Sequence, residues 1–251
     1  MDALTWLGHA GTTVDLDGTR LLTDPLLRSH VGPLRRRGPA PAGVTWERPD
    51  AVLISHLHHD HLDLPSLRRV GGLVAGDVPL VVPAGAGALL REFADVREVP
   101  VGAELRVGTL RVTAVPTHHP DDRVGTRVRA PAQGYLIRGS RRVWFAGDTG
   151  AFPGMRELRG EVDLALLPVG GWGPSLGPHH LDPRQAAGVA ALVGARKAVP
   201  VHWGTLLLPG LRTLRPDLAD EPGDRFARWV AQVAGDTAVA VLSPGASTGM
   251  P

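Results

Sequence analysis

The sequence contains no cysteine and no asparagine, and lysine occurs once, as Lys197. The absence of cysteine excludes a disulfide scaffold, a thiolate metal site, an iron–sulfur cluster and a cysteine nucleophile. Aromatic residues make up only 4% of the 251 residues. No apolar run approaches the ~18 residues of a membrane-spanning helix, and the first residues, MDALTWLGHAG, lack the pattern of a signal peptide. We therefore expect a cytoplasmic protein with no transmembrane segment.

Basic and acidic side chains nearly balance, with 27 lysine and arginine residues against 25 aspartate and glutamate residues. The sequence pI of about 9.8 reflects arginine, which stays protonated to very high pH, and does not indicate a strong field near neutrality. The arginines cluster tightly only at Arg35–Arg37 and more loosely over Arg123–Arg129. Nucleic-acid recognition would need stronger clustering, so we expect no nucleic-acid partner.

Short apolar runs alternate with glycine and proline along the chain, which indicates a mixed α/β fold. The length and the hydrophobic content of 43% predict one domain, residues 1–251, with a sizeable core. The spacing of apolar residues predicts strands at Leu4–Leu7, Thr12–Leu16, Arg20–Leu22, Ala51–Ile54, Leu80–Val82, Leu110–Val115, Tyr135–Arg138, Val143–Ala146, Leu164–Leu167 and Ala198–Val201.

Helices are predicted mainly in the last third of the chain. The clearest begins after Asp182, an N-cap residue followed by Pro183 at the first helical position, and continues to Val193. The helical spacing of Phe226–Val233 predicts a last helix that begins near Asp224. Two shorter helices are predicted at Leu64–Val70 and Gly85–Ala94.

Histidine is abundant, with 11 residues in total. Directly after the strand Ala51–Ile54 and Ser55, six residues contain four histidines and an aspartate: His56, His58, His59, Asp60 and His61. In extended backbone His56 and His58 point to the same side, and a turn at His59-Asp60 brings Asp60 and His61 to a neighbouring point. Such nitrogen and oxygen ligands suit two cations such as Zn²⁺ or Mn²⁺. The alternative is a polar surface turn in which histidines accumulate.

Three other predicted strands are followed by residues of the same type. His118-His119 follow the strand that ends at Val115, Asp148 follows Ala146 by two residues, and His202 follows Val201. Ligands presented from adjacent strand ends lie on a rigid rim, where sites in α/β folds are usually found. A single such aspartate is more often a turn residue, and a single such histidine a hydrogen-bonded core residue. Their shared position at strand ends favours a metal site.

In chain order these residues form the series His56-x-His58-x-Asp60-His61, a later single histidine, Gly-Asp148-Thr and a late histidine. This series is similar to that of the metallo-β-lactamase-fold hydrolases. Within that superfamily the chain resembles the branch of N-acylphosphatidylethanolamine-hydrolysing phospholipase D and the ascorbate-6-phosphate lactonases. The segments that carry this resemblance are Trp6-Leu-Gly-His9-Ala, Leu22-Thr-Asp24-Pro25, Pro168-Val-Gly170, His180-Leu-Asp-Pro183 and His202-Trp-Gly-Thr205.

The resemblance implies a fold and a set of ligands. The fold is a four-layer αββα sandwich with two divalent metal ions, Zn²⁺ or else Mn²⁺, at one edge between two sheets. One metal would be bound by His56, His58 and His119, the second by Asp60, His61 and His202, with Asp148 bridging both. His180 would line the substrate pocket. His9 is interpreted as a hydrogen-bonding residue, because two metal sites are supplied without it.

The resemblance also implies hydrolysis by a hydroxide held between the two metals. The candidate catalytic residues are Asp60, Asp148 and His180. Asp60 would orient the hydroxide, and His180 would donate to an oxyanion or phosphate or protonate a leaving group. Oxygen-reducing diiron relatives of the fold typically place an acidic residue at the position of His58 and carry a flavin domain, so this sequence favours hydrolysis.

The substrate class remains open between two hypotheses: a phosphodiester or related anionic ester, small or phospholipid-like, and a lactone or other carboxylic ester. The scarcity of aromatics, with Tyr135 as the only tyrosine, argues against a lipid-binding groove. Residues 28–49 and 118–133 lack periodicity and are predicted as long surface loops. Their arginines, Arg35–Arg37 and Arg123–Arg129, either receive an anionic group or are solvated charges. A third hypothesis, a non-enzymatic metal-dependent binding protein, is disfavoured by the full ligand set.

Overall fold

Two seven-stranded sheets form the centre of the computed structural model, which describes residues 2–71, 78–173 and 175–251. The strands are β1 (Ala3–Gly8), β2 (Gly11–Leu16), β3 (Thr19–Thr23), β4 (His30–Val31), β5 (Leu34–Arg36), β6 (Ala51–Leu53), β7 (Leu80–Pro83), β8 (Val96–Val99), β9 (Glu104–Val107), β10 (Leu110–Pro116), β11 (Gln133–Arg138), β12 (Arg142–Phe145), β13 (Leu164–Pro168), β14 (Lys197–Val201), β15 (Leu206–Leu207), β16 (Ala238–Val239) and β17 (Ser247–Gly249). The α-helices are α1 (Leu64–Gly71), α2 (Pro183–Val193), α3 (Leu211–Leu214), α4 (Pro216–Ala219) and α5 (Pro222–Val233). Turns of 3₁₀ helix occur at Gly43–Thr45, Ala86–Leu89 and Pro153–Leu158.

The two large sheets are built alike, with an antiparallel half and a parallel half. In the first sheet, ordered β17-β1-β2-β3-β6-β7-β8, the strands are antiparallel up to β3 and parallel from β3 onward. In the second, ordered β16-β14-β13-β12-β11-β10-β9, they are antiparallel from β9 to β12 and parallel from β12 to β16. A small sheet, β15-β5-β4, joins segments that are distant in sequence.

Side-chain alternation along the strands produces four layers. Leu21 belongs to the core between the two sheets together with Ile137, whereas its neighbour Leu22 belongs to the outer core that includes Leu67 of α1. On the opposite side, the outer face of the second sheet packs against α2 and α5 through residues such as Val189 and Phe226. Because successive residues of a strand point to opposite faces, each sheet buries both of its faces. The predicted αββα sandwich is confirmed.

All of the predicted strands are present, with boundaries that shift by at most two residues. The helix predicted after Asp182 is α2, and that residue caps it, since its side chain accepts from the Gln185 N–H at 2.8 Å. Helix α1 also agrees with its prediction. The last helix, α5, begins at Pro222, slightly before the predicted start near Asp224.

The helix predicted over Gly85–Ala94 is wrong. Only Ala86–Leu89 is helical, as a short 3₁₀ segment preceded by Gly85 in the left-handed conformation (φ 98°). The N–H groups of Gly85 and Gly87 donate to the carboxylate of Glu98 in β8, at 2.6 and 2.9 Å. Glycine is a poor helix former, and this acceptor on a neighbouring strand holds the segment in its tight turn.

The segment 28–49, predicted as a surface loop, is partly ordered into β4, β5 and a 3₁₀ turn, and it buries Val31, Leu34 and Trp46. The segment 118–133 is irregular up to the start of β11, as predicted. It nevertheless contributes buried residues to the fold. Among the described residues, no helix is both long and apolar enough to cross a membrane.

Two of the clustered arginines are structural. The Arg36 guanidinium is buried and donates to the carbonyl oxygens of Leu7 at 3.1 Å and Leu26, and burial lowers its pKa to about 10. Arg123 is also buried and donates to the carbonyl oxygen of Leu62 at 3.0 Å. Neither of the two roles considered for these clusters, an anion contact or a solvated charge, applies to these two residues. They instead donate hydrogen bonds to backbone carbonyls inside the fold.

Candidate metal centre

The candidate ligands follow the carboxyl ends of strands in both large sheets. His56, His58, Asp60 and His61 follow β6 of the first sheet, while His119, Asp148 and His202 follow β10, β12 and β14 of the second. In the second sheet these three strands run in the same direction, so their carboxyl ends lie at one edge. The structure brings all of these side chains together in overlapping clusters of potential ligand atoms.

One cluster consists of His56, His58 and His119, each offering one ring nitrogen within 4.8 Å of the others. His58 Nδ1 lies 3.1 Å from His119 Nε2. Two ligands that are each 2.0–2.1 Å from one tetrahedral zinc ion are about 3.3–3.4 Å apart. This spacing therefore agrees with two nitrogens that share an ion.

The second cluster is centred on Asp148. Its Oδ2 lies 3.3 Å from His61 Nε2 and 3.2 Å from His202 Nε2, and those two nitrogens are 3.2 Å apart. Asp60 completes the group, with Oδ2 at 3.8 Å from His61 Nε2 and 3.7 Å from His202 Nε2. The ligand atoms of Asp60, His61 and His202 all lie within 4.8 Å of one another, in a cluster that also contains a ring nitrogen of His9.

Two buried atoms of the centre have no hydrogen-bond partner among the described residues: His56 Nε2 and Asp148 Oδ1. A buried polar atom without a partner costs free energy, so native structures nearly always satisfy such atoms. Imidazole nitrogen and carboxylate oxygen are ligands of Zn²⁺ and related divalent ions. The donor set and its unsatisfied atoms therefore fit the metals that the resemblance implies.

Backbone carbonyls orient two of the histidines. His119 Nδ1–H donates to the carbonyl of His179 at 3.0 Å, and His202 Nδ1–H donates to the carbonyl of Gly170 at 3.1 Å. A proton fixed on Nδ1 leaves the lone pair of Nε2 free and directed toward the centre.

Asp24 orients a third histidine, and the sequence analysis assigned it no role. It is fully buried after β3, and it accepts hydrogen bonds from the backbone N–H and hydroxyl of Ser55 at 2.8 and 2.5 Å and from His61 Nδ1–H at 2.6 Å. Its backbone is left-handed (φ 32°), which aspartate tolerates better than most residues. In the sequence, Asp24 stands shortly after a predicted strand and directly before Pro25. This is the same strand-end position by which the other candidate residues were predicted, so Asp24 could have been predicted in the same way.

Burial and neighbouring charges shift the pKa values of the histidines and of Asp148 in the centre. Burial lowers the pKa of His119 to about 4 and that of His56 well below its usual value. Burial alone would raise the pKa of Asp148, but the neighbouring His202 and His61 hold it well below its usual range. Neutral imidazoles and ionised carboxylates are the forms that bind metals, so His56, His119 and Asp148 are in their binding forms. Burial would lower the pKa of His61, but the carboxylates of Asp148, Asp60 and Asp24 outweigh the effect of burial and raise it instead.

His180 lies at the rim of this centre. Its Nε2 is 3.4 Å from Asp148 Oδ2, its Nδ1–H donates to the carbonyl of Leu176 at 2.7 Å, and its side chain is 26% exposed. A cavity of about 260 Å³ is lined by this histidine together with His58, Asp60, Asp148, Gly171, Trp172, Gly173, Ser175 and Leu176.

A second cavity, of about 530 Å³, adjoins the first, and the two share His58, Asp60 and Trp172. Its other lining residues are mostly aliphatic: Arg28, Val31, Gly32, Pro33, Leu34, His59 and Val124. A hydrogen bond of 3.0 Å between His59 Nε2–H and the carbonyl of Val124 ties the segment 118–133 to the histidine-rich segment. The centre thus opens on a small pocket beside His180 and on a larger, more apolar groove that adjoins it.

Comparison with known families identifies the chain. Residues 19–203 match the family model described as "Beta-lactamase superfamily domain". The chain belongs to the β-lactamase superfamily. This match spans the candidate ligands from His56 to His202.

Similar proteins include a metal-dependent hydrolase and a phospholipase D by name. A UPF0173 metal-dependent hydrolase of Methanopyrus kandleri is 32% identical over 97% of this chain and 98% of its own length. The N-acyl-phosphatidylethanolamine-hydrolyzing phospholipase D 1 of Caenorhabditis elegans is 32% identical over 80% of this chain and 63% of its own length. An uncharacterized protein of Mycobacterium tuberculosis is 32% identical over 82% of this chain, and the match spans only 59% of that relative.

A solved structure shares the fold. The metallo hydrolase Igni18 of Ignicoccus hospitalis superposes with a TM-score of 0.75, covering 98% of this chain and 97% of that one, at 22% identity. At this identity the likeness concerns the fold alone. The prediction of a metal-dependent hydrolase with the metallo-β-lactamase fold is therefore confirmed at the level of the family.

Proposed function

We propose that this chain is a hydrolase that uses two divalent metal ions, most simply Zn²⁺. His56, His58 and His119 would hold one ion, Asp60, His61 and His202 the other, and Asp148 both. The observation that carries this proposal is the position of Asp148, whose Oδ2 lies 3.2–3.3 Å from two histidine nitrogens while its Oδ1 is buried without a partner. When bound, the metals would activate water at neutral pH and polarise the attacked group.

The remaining chemistry belongs to Asp60 and His180. Asp60 faces both the metal cluster and the two cavities, so its carboxylate is placed to accept a hydrogen bond from the attacking water. His180 presents Nε2 toward Asp148, because its Nδ1 is held by a backbone carbonyl. Burial lowers the pKa of His180, but Asp148 outweighs that effect and raises it above its usual value. The place of His180 on the wall of the pocket, with Nδ1 held by a backbone carbonyl, favours it as the proton donor to a leaving group or an oxyanion.

The substrate that best fits the two cavities is a phosphodiester or related anionic ester with an apolar, phospholipid-like substituent. The metals and His180 would take the anionic group, and the groove lined by Val31, Leu34 and Val124 would take the substituent. The apolar part of the groove consists of aliphatic side chains and one tryptophan, so scarce aromatics do not argue against it. A lactone or other carboxylic ester is the second candidate, because the 260 Å³ pocket alone suits a small polar substrate.

Metal analysis tests the metal centre. After loading with Zn²⁺ or Mn²⁺, we expect two equivalents per wild-type chain. His58→Ala and Asp148→Ala should each lose at least one equivalent and abolish hydrolysis, while circular dichroism shows a retained fold. Well under one equivalent in the wild-type protein, or full activity in either variant, contradicts the proposal.

A parallel assay of bis-p-nitrophenyl phosphate, an N-acylphosphatidylethanolamine and a set of lactones tests the substrate class. We expect hydrolysis of the two phosphodiesters, and activity on lactones alone rejects this class. Val124→Asp should raise KM for the acylated substrate with little change for the small phosphodiester, since a carboxylate in the groove repels an apolar chain. Val44→Asp is the matched control, because Val44 is 78% exposed, Val124 is 75% exposed, and only Val124 lines the groove. Equal effects of the two substitutions contradict the assignment of the groove.

A further inference from the structure

We propose that His9 is a positioning residue for the second metal site, and that it holds two of the proposed ligands at once. Its side chain contacts Asp60, and its backbone carbonyl contacts the backbone of His202. This role rests on the proposed function, because it concerns ligands of the same centre.

The side chain of His9 donates to Asp60. Its Nε2 lies 2.8 Å from Asp60 Oδ2, and the residue is 0% exposed, so it cannot touch substrate. This distance is that of a hydrogen bond to a carboxylate. It is shorter than the spacing of about 3.3–3.4 Å between two ligands of one zinc ion. His9 therefore supports a ligand and does not add a fourth one.

The backbone of His9 holds His202. The carbonyl of His9 accepts from the backbone N–H of His202 at 2.8 Å, and their rings lie 4.1 Å apart. Both residues adopt the left-handed conformation, with φ of 55° and 60°. For residues other than glycine this conformation is unfavourable and persists only where the surroundings enforce it. The two strained residues are thus held against each other at the edge of the metal site.

A second contact reinforces the first. Trp6 Nε1–H donates to the same His9 carbonyl at 2.8 Å, and the Trp6 ring stacks on Trp203 at 5.6 Å. The intervening Gly8 has φ of 91°, and a Cβ there would lie 2.8 Å from the methyl group of Thr205. The segments Trp6-Leu-Gly-His9 and His202-Trp-Gly-Thr205, which are far apart in sequence, therefore form one unit that sets the position of a metal ligand.

The test is Zn²⁺ binding measured by competition with a chromophoric chelator, comparing His9→Asn with His9→Gln. Both residues are neutral amides, but only glutamine is long enough to bring an N–H to Asp60. We expect His9→Asn to weaken the second Zn²⁺ equivalent by 10- to 100-fold, the usual effect of losing a residue that orients a ligand, and to leave the first equivalent unchanged. His9→Gln should recover most of this loss.

Thr19→Val is the control for the loss of a buried hydrogen bond elsewhere, because Thr19 bonds Thr109 far from the ligands in sequence and in the sheet. It should bind both equivalents normally. If His9→Asn does not fold, Trp6→Phe, which removes the bond to the His9 carbonyl and shortens the ring that stacks on Trp203, should still weaken the second equivalent selectively.

Several results would overturn this role. Wild-type affinity for both equivalents in His9→Asn rejects it, as does equal weakening of both equivalents. A loss in His9→Gln as large as that in His9→Asn identifies His9 as a direct ligand and also rejects it. Fewer than two equivalents in the wild-type protein overturns the proposed function itself, which is a different result from two normal equivalents in His9→Asn.

Discussion

Residue by residue, the centre depends on acceptors that are not themselves proposed ligands. Asp24 accepts three hydrogen bonds from Ser55 and His61, and all of these groups are buried. Removing an acceptor leaves its donors buried and unpaired, which costs much more than the net value of each hydrogen bond. The geometry of His61 should therefore depend on Asp24 as much as on its own backbone.

We expect Asp24→Ala to lower the free energy of unfolding by about 1–3 kcal/mol for each donor left unpaired and to weaken metal binding. Asp24→Asn keeps one acceptor oxygen and tolerates the left-handed backbone, so it should lose less. Urea unfolding and Zn²⁺ titration measure the two effects. If alanine and asparagine cost the same, the hydrogen bonds of Asp24 are not what holds His61.

The protonation of His119 predicts a pH dependence of the metal-free protein. Because burial lowers its pKa to about 4, the unfolded chain binds a proton at this residue between about pH 6.5 and 4 while the folded chain does not. Stability contributed by His119 is therefore lost as the pH falls through this window, at no more than about 1.4 kcal/mol per pH unit.

Urea unfolding of wild-type protein and of His119→Gln, with chelator present, tests this dependence. The variant should lose less stability than the wild type between pH 6.5 and 4, because glutamine does not titrate. Parallel curves for the two proteins would show that His119 does not contribute to the slope.

Among the elements, α2 shows how local sequence alone determines a structure. Asp182 and Gln185 form a reciprocal capping box, Pro183 occupies the first position, and Gly194 ends the helix in the left-handed conformation. Each of these features satisfies or avoids a backbone group that the helix cannot satisfy itself. For this reason the sequence predicts both ends of α2 correctly.

Asp182→Ala should lower the free energy of unfolding by about 1 kcal/mol, the typical cost of losing an N-cap. Asp182→Ser, which keeps a capping oxygen, should lose much less. Denaturant midpoints measure both changes. Metal content should stay at the wild-type value in both variants, and its loss would mean that the cap also positions the carbonyl of His179, which orients the proposed ligand His119.

Other elements cannot be predicted from local pattern. Strand β8 has two exposed residues among its four and, within the part of the chain that the structure describes, pairs only with β7. Strand β17 has no apolar residue at all. The predicted helix at Gly85–Ala94 fails for the same reason, since Glu98 on β8 supplies the competing acceptor. Such elements form because a partner distant in sequence offers hydrogen bonds. The spacing of apolar residues within the element does not indicate that partner.

At the scale of the whole molecule, the last strand of the chain lies beside the first one. Strand β17 pairs with β1 in the first sheet, and the only lysine, Lys197 in the second sheet, donates to Thr248 Oγ1 and to the carbonyl of Gly249, both at 2.7 Å. This side chain therefore joins the two sheets at their edge. With a core shared between the sheets, it supports the proposal that residues 1–251 form one hydrolase domain.

Lys197→Met keeps the aliphatic stem and removes the donor, and it should lower the free energy of unfolding by about 1 kcal/mol. Arg196→Met, at the adjacent and exposed position, is the control and should change it by less than about 0.5 kcal/mol. A single cooperative urea transition by both fluorescence and circular dichroism should persist in each variant. Two separate transitions would contradict one domain.

The sequence by itself determined ten of the strands, α2 and the residue types of the candidate centre, because alternation, caps and strand-end histidines are local properties of the chain. Only the tertiary structure decided which partners hold those histidines. The bond of Asp24 to His61, that of His9 to Asp60 and the burial of Arg36 all join residues separated by tens of positions. The apolar groove likewise arises where separate segments meet. Contacts of this kind depend on how the two sheets pack, and no spacing along one chain specifies them.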